Sequence, residues 1–195
     1  MILFLILHKL YGDYNVLKRK YNTTNSSFIK KIYRAIMKYY NHESNSCIPL
    51  YIKNNGSINF VHGYCGIFIS GGAVIHNNVT IYQHVTIGSI RQIDSKRFGS
   101  PEIGENVILG AGCKVVGRIK IGANCRIAPN AFVNIDLPDN TIFIDSNTVI
   151  NKDKPLINRV YQNLNHGWVY LENGNVIVEN NISNIEMLNN KSSNN

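Results

Sequence analysis

The sequence predicts a β-solenoid, in which short strands wind into a triangular coil, and three observations indicate it. Aliphatic residues recur at every sixth position from Ile69 to Ile87 and again from Ile103 to Val133. A second apolar position follows four places after each of these except Ile87, as at Ala73, Val79 and Val85. Polar or glycine-containing pairs separate the apolar positions. A period of six fits neither a helix nor an alternating strand, so we expect three strands per coil with both apolar positions facing the axis.

The composition limits the other features of the molecule. The chain has 195 residues, of which 44% are hydrophobic, and a net charge of +8. This length suits one repeat domain with additions at each end rather than two independent domains. The four cysteines show neither CxxC pairing nor a His-rich spacing, so we expect a cytoplasmic protein with no metal, and core positions for Cys113 and Cys125. The positive charge favours anionic partners, but without a recognition helix or a stacking motif it does not predict nucleic-acid binding.

Residues 1–46 are predicted to be helical. In the clearest helix, from Phe28 to Tyr40, one face is apolar and another is basic, the basic residues being Lys30, Lys31, Arg34 and Lys38. Ser26 or Ser27 would cap this helix. The basic face could contact lipid headgroups or an anionic polymer, or only solvent, so peripheral contact with the inner face of a membrane stays open. The apolar opening of the chain is shorter than the roughly 20 residues that a spanning helix needs.

Residues 47–150 are predicted to form the coil, with two interruptions. Ile58 and Ile69 are eleven residues apart instead of twelve, so one coil is irregular there. Residues 88–102 form a polar, basic stretch that is too long for a corner and contains Arg97. We therefore expect this stretch to protrude from the coil as a loop. Loops on rigid scaffolds often present binding groups, so it could contribute to a binding site.

The C-terminal part of the chain loses the six-residue period. Residues 151–180 are predicted to form an extension with a hairpin from Trp168 to Val178, because Asn173-Gly174 favours a tight two-residue turn. Residues 181–195 are rich in Asn and Ser and are predicted to be a disordered tail.

The stretch from His62 to Gly88, HGYCGIFISGGAVIHNNVTIYQHVTIG, resembles the catalytic stretch of the serine acetyltransferase-like group of hexapeptide-repeat acyltransferases. The segments PEIGENVILGAG from Pro101 and IGANCRIAPNA from Ile121 continue the resemblance. In character the chain is most similar to the capsule and polysaccharide O-acetyltransferases of this group. The resemblance implies a left-handed parallel β-helix that forms a homotrimer and transfers an acetyl group from acetyl-CoA to a hydroxyl.

The resemblance assigns His62 as the general base of this transfer. The irregular coil around His62 agrees, because a side chain can leave the core there and a neutral imidazole can accept a proton near neutral pH. Family members bind the pantetheine arm at small residues, which match Ala111 and Pro129 here. Basic residues near these turns could meet the phosphates of acetyl-CoA or serve only solubility; they are Lys114, Lys120 and Arg126.

Several positions depart from the serine acetyltransferase pattern. Cys47 stands where relatives place the acid that orients the histidine, so Asn59, Glu43, an acid of the N-terminal helices or a backbone carbonyl could take that role. The positions that hold the charges of serine in relatives are uncharged here, namely Val61, Gly99 and Ser100. Without those charges serine would lose polar contacts on binding, so we expect the acceptor to be a hydroxyl of a saccharide, such as a capsular or other surface polysaccharide.

Two alternatives to a saccharide acetyltransferase remain. The first is a small acceptor, such as a sugar nucleotide or, less favoured, serine. The second is a trimeric scaffold that binds glycan without catalysis.

The remaining candidate residues would shape the acceptor site. Tyr64, Tyr82 and Trp168 could stack on a sugar, and core packing is the alternative explanation for each of them. Arg97, in the loop, and His84 could contact the acceptor. His76 and His84 are both expected on the surface of a regular coil.

Overall fold

The computed structural model describes residues 2–54, 56–146, 148–164 and 167–192. Short parallel strands at the centre of the chain are flanked by helices before them and an antiparallel sheet after them. In chain order the elements are α1 Ile2–Tyr11, α2 Tyr14–Thr23, α3 Ser27–Glu43, β1 Lys53–Asn54, β2 Ile58–Tyr64, β3 Phe68–Ile69, β4 Val74–Ile75, β5 Val79–Ile81, β6 Thr86–Gly88, β7 Glu102–Ile103, β8 Ile108–Leu109, β9 Lys114–Val116, β10 Lys120–Ile121, β11 Arg126–Ile127, β12 Phe132–Val133, β13 Thr141–Asp145, β14 Thr148–Asn151, β15 Tyr161–Leu164, β16 Gly167–Glu172, β17 Asn175–Val178 and α4 Ile182–Ser192.

Three parallel sheets form the sides of the coil, as the six-residue period predicts. Their strand orders are β1-β4-β7-β10, β2-β5-β8-β11-β13 and β3-β6-β9-β12, and antiparallel β14 completes the second sheet. Successive coils therefore hydrogen-bond to one another instead of leaving open edges. The aliphatic residues of the period are fully buried along the axis, for example Ile75, Ile81 and Ile103. Cys113 and Cys125 are also fully buried in this core, as expected.

One corner of the coil is built from a column of asparagines. Asn78, Asn106, Asn124 and Asn140 all have positive φ, between 56° and 61°. Asparagine tolerates this left-handed conformation better than most residues. Their side-chain amides bond along the column, from Asn78 Nδ2 to Asn106 Oδ1 at 3.0 Å and from Asn106 Nδ2 to Asn124 Oδ1 at 3.3 Å. Each corner therefore also stabilises the stacking of its coil on the next.

The N-terminal helices pack on the first coil. The Asn15 side chain donates to the carbonyl of Ile58 and accepts from its N–H, at 2.9 and 3.0 Å, which completes the outer edge of β2. The buried Lys18 amine donates to the carbonyls of Leu50 and Ile52 at 3.0 and 2.6 Å. Helix α2 thus supplies the hydrogen bonds that another coil would otherwise provide.

The predicted C-terminal hairpin is present and has a third strand. Strands β15, β16 and β17 form an antiparallel sheet, and the turn residues Asn173 and Gly174 have φ of 53° and 76°. Asn77 Nδ2 donates to Asn173 Oδ1 at 2.7 Å, and Asn173 N–H donates to Asn78 Oδ1 at 3.3 Å. The tip of the hairpin is therefore bound to the asparagine corner, close to β2 and β5.

The prediction of a disordered tail is wrong for residues 182–192, which form α4; residues 193–195 lie outside the described part of the chain. Asn181 Oδ1 accepts from the backbone of Asn184 at 3.1 Å and acts as the N-cap. The buried Glu179 accepts from the Asn181 N–H at 2.9 Å. The Asn-rich composition suggested disorder, whereas these local bonds and a bond from Trp168 Nε1 to Asn189 Oδ1 at 2.8 Å stabilise a helix.

Candidate active site

The candidate base His62 lies on β2, in the irregular first coil. Strand β2 has seven residues, whereas the other strands of the coil before β13 have two or three. The His62 side chain is exposed, although it follows the inward-facing Ile58 and half-buried Phe60 along the strand. The extra length of β2 thus brings the imidazole out at the corner between the second and third sheets.

A glutamine of the next coil orients this imidazole. His62 Nδ1 lies 2.7 Å from Gln83 Oε1. Because an amide oxygen only accepts hydrogen bonds, Nδ1 carries the proton and Nε2 keeps its lone pair. The Tyr82 ring meets the His62 ring edge to face, with their centroids 5.6 Å apart. The imidazole is therefore held in the tautomer and orientation that a general base requires.

Gln83 was missing from the sequence-based candidates for orienting His62. Asn59 instead donates to Asn78 Oδ1 at 2.9 Å, and Glu43 lies beside His42, with 4.0 Å between the charged atoms. The pairing of Phe60 with Ile81 places residue 62 beside residue 83. The sequence could have indicated this partner only if the length of the irregular coil were known.

The same corner brings His62 into line with the two candidate pantetheine contacts. Strand pairing aligns Ile81 with Leu109 and Leu109 with Ile127, so Gln83, Ala111 and Pro129 occupy equivalent places in successive coils. The N–H groups of the following residues bond back along this column, Gly112 to Gln83 O at 2.9 Å and Asn130 to Ala111 O at 2.8 Å. We call the column of His62, Gln83, Ala111 and Pro129 the His62 edge.

The candidate phosphate contacts are distributed unevenly around the coil. Lys114 is exposed at the start of β9, close to the His62 edge, where its amine donates to the Gly112 carbonyl at 3.2 Å. Lys120 lies on the other side of the coil, in the first sheet, 3.8 Å from Glu102. This geometry puts Lys114, but not Lys120, next to the predicted acetyl-CoA position.

Arg126 is engaged by the C-terminal extension. Its guanidinium donates to Asn158 Oδ1 at 2.5 Å and to the Ile157 carbonyl at 2.8 Å. Burial lowers the pKa of this arginine from its ordinary value, but the side chain stays a cation with two partners. The predicted role of Arg126 as a phosphate contact competes with these bonds within the chain.

Two of the three aromatic candidates are held by contacts within the chain. Tyr64 is buried, its ring stacks near Tyr40, and its hydroxyl accepts from the Tyr14 N–H at 2.7 Å, so its predicted role as a stacking surface is corrected to a core role. Trp168 is half-buried and bonds to α4 through Asn189. Tyr82 alone of the three touches His62.

The last two acceptor candidates lie on exposed or partly exposed turns. His84 is exposed and turns the corner with φ of 60°, and its ring covers Gly66, where a Cβ would collide with Nδ1. Arg97 is half-buried within the 88–102 loop, whose two ends are joined by reciprocal bonds between Ile90 and Gly99 at 2.9 Å. His76 bonds to Glu102 at 3.2 Å, on the side of the coil away from the His62 edge.

Two cavities flank the strand that carries His62. One, of about 110 Å³, is lined by Val61, Asn59 and Thr80 of the coil and by apolar residues of the C-terminal sheet, including Val169, Leu171 and Val176. The other, of about 390 Å³, reaches Gly63 and is lined on its helical side by residues that include His8 and Asp13. An apolar and a partly charged cavity therefore adjoin the residues on either side of the candidate base.

The described residues contain no group of three or more His, Cys, Asp or Glu side chains that could hold a metal ion.

A parallel β-helix with a histidine and small residues along one edge is typical of hexapeptide-repeat acyltransferases. Residues 100–134 match the family described as Bacterial transferase hexapeptide (six repeats). The chain resembles the left-handed β-helix acyltransferases of this kind.

Several curated relatives are serine acetyltransferases. That of Mycobacterium tuberculosis is 39% identical over 85 residues, which is 44% of this chain and 36% of the relative. That of Staphylococcus aureus strain Mu50 is 42% identical over 79 residues, 40% of this chain and 36% of the relative. This chain thus spans well under two thirds of the length of the curated relatives it matches.

Solved serine acetyltransferases have the same fold. The soybean enzyme complexed with serine matches with a TM-score of 0.55 and 27% identity, over 70% of this chain and 53% of the other. The Brucella abortus strain S19 enzyme has a TM-score of 0.58 over 73% of this chain and 56% of the other, at 21% identity, which shows the fold alone. The names of these relatives give serine, and not a polysaccharide, as their acceptor.

Proposed function

We propose that this chain is an acetyl-CoA-dependent O-acetyltransferase in which His62 is the general base. The observation that carries the proposal is the His62 edge, where an oriented imidazole lies in line with Ala111 and Pro129. The bond from Nδ1 to Gln83 leaves Nε2 available to a hydroxyl. The small residues leave room for an extended pantetheine arm below it.

The proposed reaction needs only groups of this edge and its two substrates. His62 Nε2 takes the proton of the acceptor hydroxyl as its oxygen attacks the thioester carbonyl. The imidazolium then forms a charge-assisted bond through Nδ1–H to Gln83 Oε1. As the tetrahedral adduct collapses, the carbon–sulfur bond breaks, the acetyl ester forms, and the leaving thiolate receives the proton from Nε2.

Serine is the first acceptor to test, because the named relatives are serine acetyltransferases. This chain has Val61 where those enzymes carry an acid, but the larger cavity beside His62 is lined by Asp13. The carboxylate of Asp13 could offset the ammonium of an amino acid, which an uncharged cavity could not.

A saccharide hydroxyl is the second candidate acceptor, and one observation favours it. Val61 lines an apolar cavity. Gly99 and Ser100 are uncharged, although they occupy the positions that would bind the carboxylate of serine. A neutral acceptor with an apolar face fits these residues better than a zwitterion does. A sugar nucleotide would combine this face with phosphates.

We also propose a homotrimer, in which the His62 edge of one subunit faces its neighbour. The edge is open in the single chain: His62 and Pro129 are exposed and Ala111 is half-buried. A second subunit would complete the wall of the groove and exclude water from the thioester. The oligomeric state can be measured directly by sedimentation velocity.

The test is acetyl transfer by the wild type and His62→Ala, with serine, sugar nucleotides and surface oligosaccharides as acceptors. His76→Ala is the matched control, since it removes a histidine from the other side of the coil. We expect acetylation of one acceptor class that His62→Ala abolishes and His76→Ala retains.

Acetyl-CoA binding, measured by calorimetry, separates the remaining outcomes. Binding by His62→Ala without turnover supports the role of His62 as base. Turnover that survives the substitution would contradict that role. No acetyl-CoA binding by the wild type would refute the enzyme and leave the glycan-binding scaffold.

A further inference from the structure

The N-terminal helices hold most of the net positive charge of the chain. Residues 1–46 contain eight Lys and Arg against two Asp and Glu, a net charge of +6 out of the +8 of the whole chain. Lys18 is buried and bonded to backbone carbonyls, so it does not contribute to the surface. Lys9, Arg19, Lys31 and Lys38 are exposed. The remainder of the chain is close to neutral, so the net positive charge is concentrated in the N-terminal helices.

The same helices expose large apolar side chains beside those cations. On α3, Phe28 is 72% exposed and Ile32 is 37% exposed, four residues apart on one face. On α1, Ile6 and Leu10 are 49% and 64% exposed, again four residues apart. We call these four residues the apolar stripe. On α3 they continue, towards its N-terminal end, the apolar face whose later residues Ile36, Met37 and Tyr40 are buried in the core.

The two helices that carry the stripe lie side by side. The Tyr11 and Tyr33 rings meet edge to face with their centroids 6.4 Å apart, and the His8 and Tyr40 rings are 6.2 Å apart. The exposed side chains therefore project from a packed pair of helices that is itself anchored to the first coil. A rigid pair costs less conformational entropy on binding than a disordered basic segment would.

We infer that this surface binds the anionic face of a lipid bilayer. Exposed Phe, Ile and Leu side chains can enter the headgroup boundary while Lys and Arg next to them contact anionic headgroups. No described helix is long and apolar enough to cross a bilayer, so this contact is peripheral.

Two other occupants fit the surface less well. A second copy of the same surface would bring a net charge of +6 against another +6, and like charges oppose such a contact. Nucleic acid would satisfy the cations but would leave Phe28 and Leu10 without an apolar environment, since phosphate contacts make no use of them. An anionic bilayer satisfies both the charge and the apolar side chains.

The inference is tested by sedimentation of the full chain with vesicles of phosphatidylcholine alone or with about 30% phosphatidylglycerol added. We expect binding to the anionic vesicles only, weakened by salt. Lys31→Glu/Lys38→Glu should lower the partition coefficient at least roughly tenfold, because each cation near an anionic surface contributes about fivefold. Phe28→Ser should also weaken binding several-fold, roughly in proportion to the apolar area it removes.

Lys152→Glu/Lys154→Glu is the matched control, because it makes the same charge change at two exposed lysines of the C-terminal extension. It should bind like the wild type. Fluorescence of Trp168, the single tryptophan, checks that each variant is folded.

Three results would overturn the inference. Equal weakening by the control pair would mean that net charge alone acts. An unaltered Phe28→Ser would mean that no side chain enters the bilayer, as in binding to any polyanion. Concentration-dependent association in solution that Phe28→Ser abolishes, without vesicle binding, would mean that a second copy covers the stripe.

Discussion

Gln83→Leu tests whether an amide can do the work of the missing carboxylate. The substitution removes the acceptor of the His62 Nδ1–H bond, at 2.7 Å, and keeps a side chain of similar size. The ground state loses a neutral hydrogen bond, but the imidazolium that forms during proton transfer loses a charge-assisted one. A hydrogen bond to a charged group is worth about 1.5–3 kcal/mol. The neutral bond lost from the ground state is worth about 0.5–1.5 kcal/mol, so the difference that affects kcat is on the order of 1–1.5 kcal/mol. The expected result is a fall in kcat of roughly 5- to 15-fold, since 1.36 kcal/mol is tenfold in rate.

The assay has to avoid thiol reagents, because Cys47 and Cys65 are exposed and would react with them. Loss of thioester absorbance gives the initial rate instead, at saturating acetyl-CoA. Gln92→Leu is the control for the change from glutamine to leucine, since Gln92 is an exposed side chain of the 88–102 loop. It should leave kcat unchanged.

Gln83→Glu tests whether Gln83→Leu loses activity because His62 is no longer oriented or because the fold is less stable. A carboxylate beside Nδ1 favours the imidazolium, so this variant should keep most of the activity and move the acid limb of its kcat/KM profile to higher pH. The reasoning is refuted if Gln83→Leu retains kcat within about twofold while His62→Ala abolishes it. It is also refuted if both Gln83 variants lose activity only in proportion to a loss of melting temperature.

Three further predictions concern the fold. Iodoacetamide should label Cys47 and Cys65 in the native protein and all four cysteines after unfolding. Burial shields Cys113 and Cys125, and it raises the pKa of Cys113 to about 12. In urea unfolding, Asn106→Ala should be less stable than Asn106→Gly by about 1 kcal/mol, because both lose the amide column but only alanine is strained at φ of 56°. The pKa of Glu179 is lowered to about 2, and the hydrogen bond from the Tyr161 hydroxyl is the largest cause. The ionised carboxylate therefore stabilises the C-terminal sheet above about pH 4.5, and this stabilisation is lost as pH falls towards 2. Trp168 fluorescence should show this acid transition in the wild type and a weaker dependence in Glu179→Gln; an equal dependence would contradict it.

The coil could be predicted because the same spacing of apolar residues repeats along the chain. Each inward residue, such as Ile81 or Ile103, contacts its neighbours one coil away, so the six-residue period in the sequence is also the period of the packing. The hairpin was predictable for a similar reason, since Asn173-Gly174 alone favours the turn. In both features the sequence itself fixes the spacing, through the repeat in the coil and through the two-residue turn in the hairpin.

The contacts that the sequence did not predict join residues that are separated by no regular distance along the chain. Gln83 reaches His62 only because β2 is extended, and Arg126 meets Asn158 across 32 residues that include the end of the repeat. Helix α4 was missed because its composition outweighed its cap, although Asn181 stands in the sequence at the right place for one.

The carboxylate of Asp13 offers a test that distinguishes serine from a saccharide as the acceptor. Asp13 lines the cavity that reaches Gly63, and it is also the N-cap of α2, where its Oδ1 accepts from the Val16 N–H at 3.0 Å. Asparagine caps a helix about as well as aspartate, so Asp13→Asn removes the charge and leaves α2 intact. If the carboxylate binds the ammonium of serine, KM for serine should rise roughly fivefold, the value of an exposed charge pair of about 1 kcal/mol. A saccharide acceptor has no ammonium to lose, so its KM should not change, and an equal rise for both acceptors would mean that Asp13 acts through the fold.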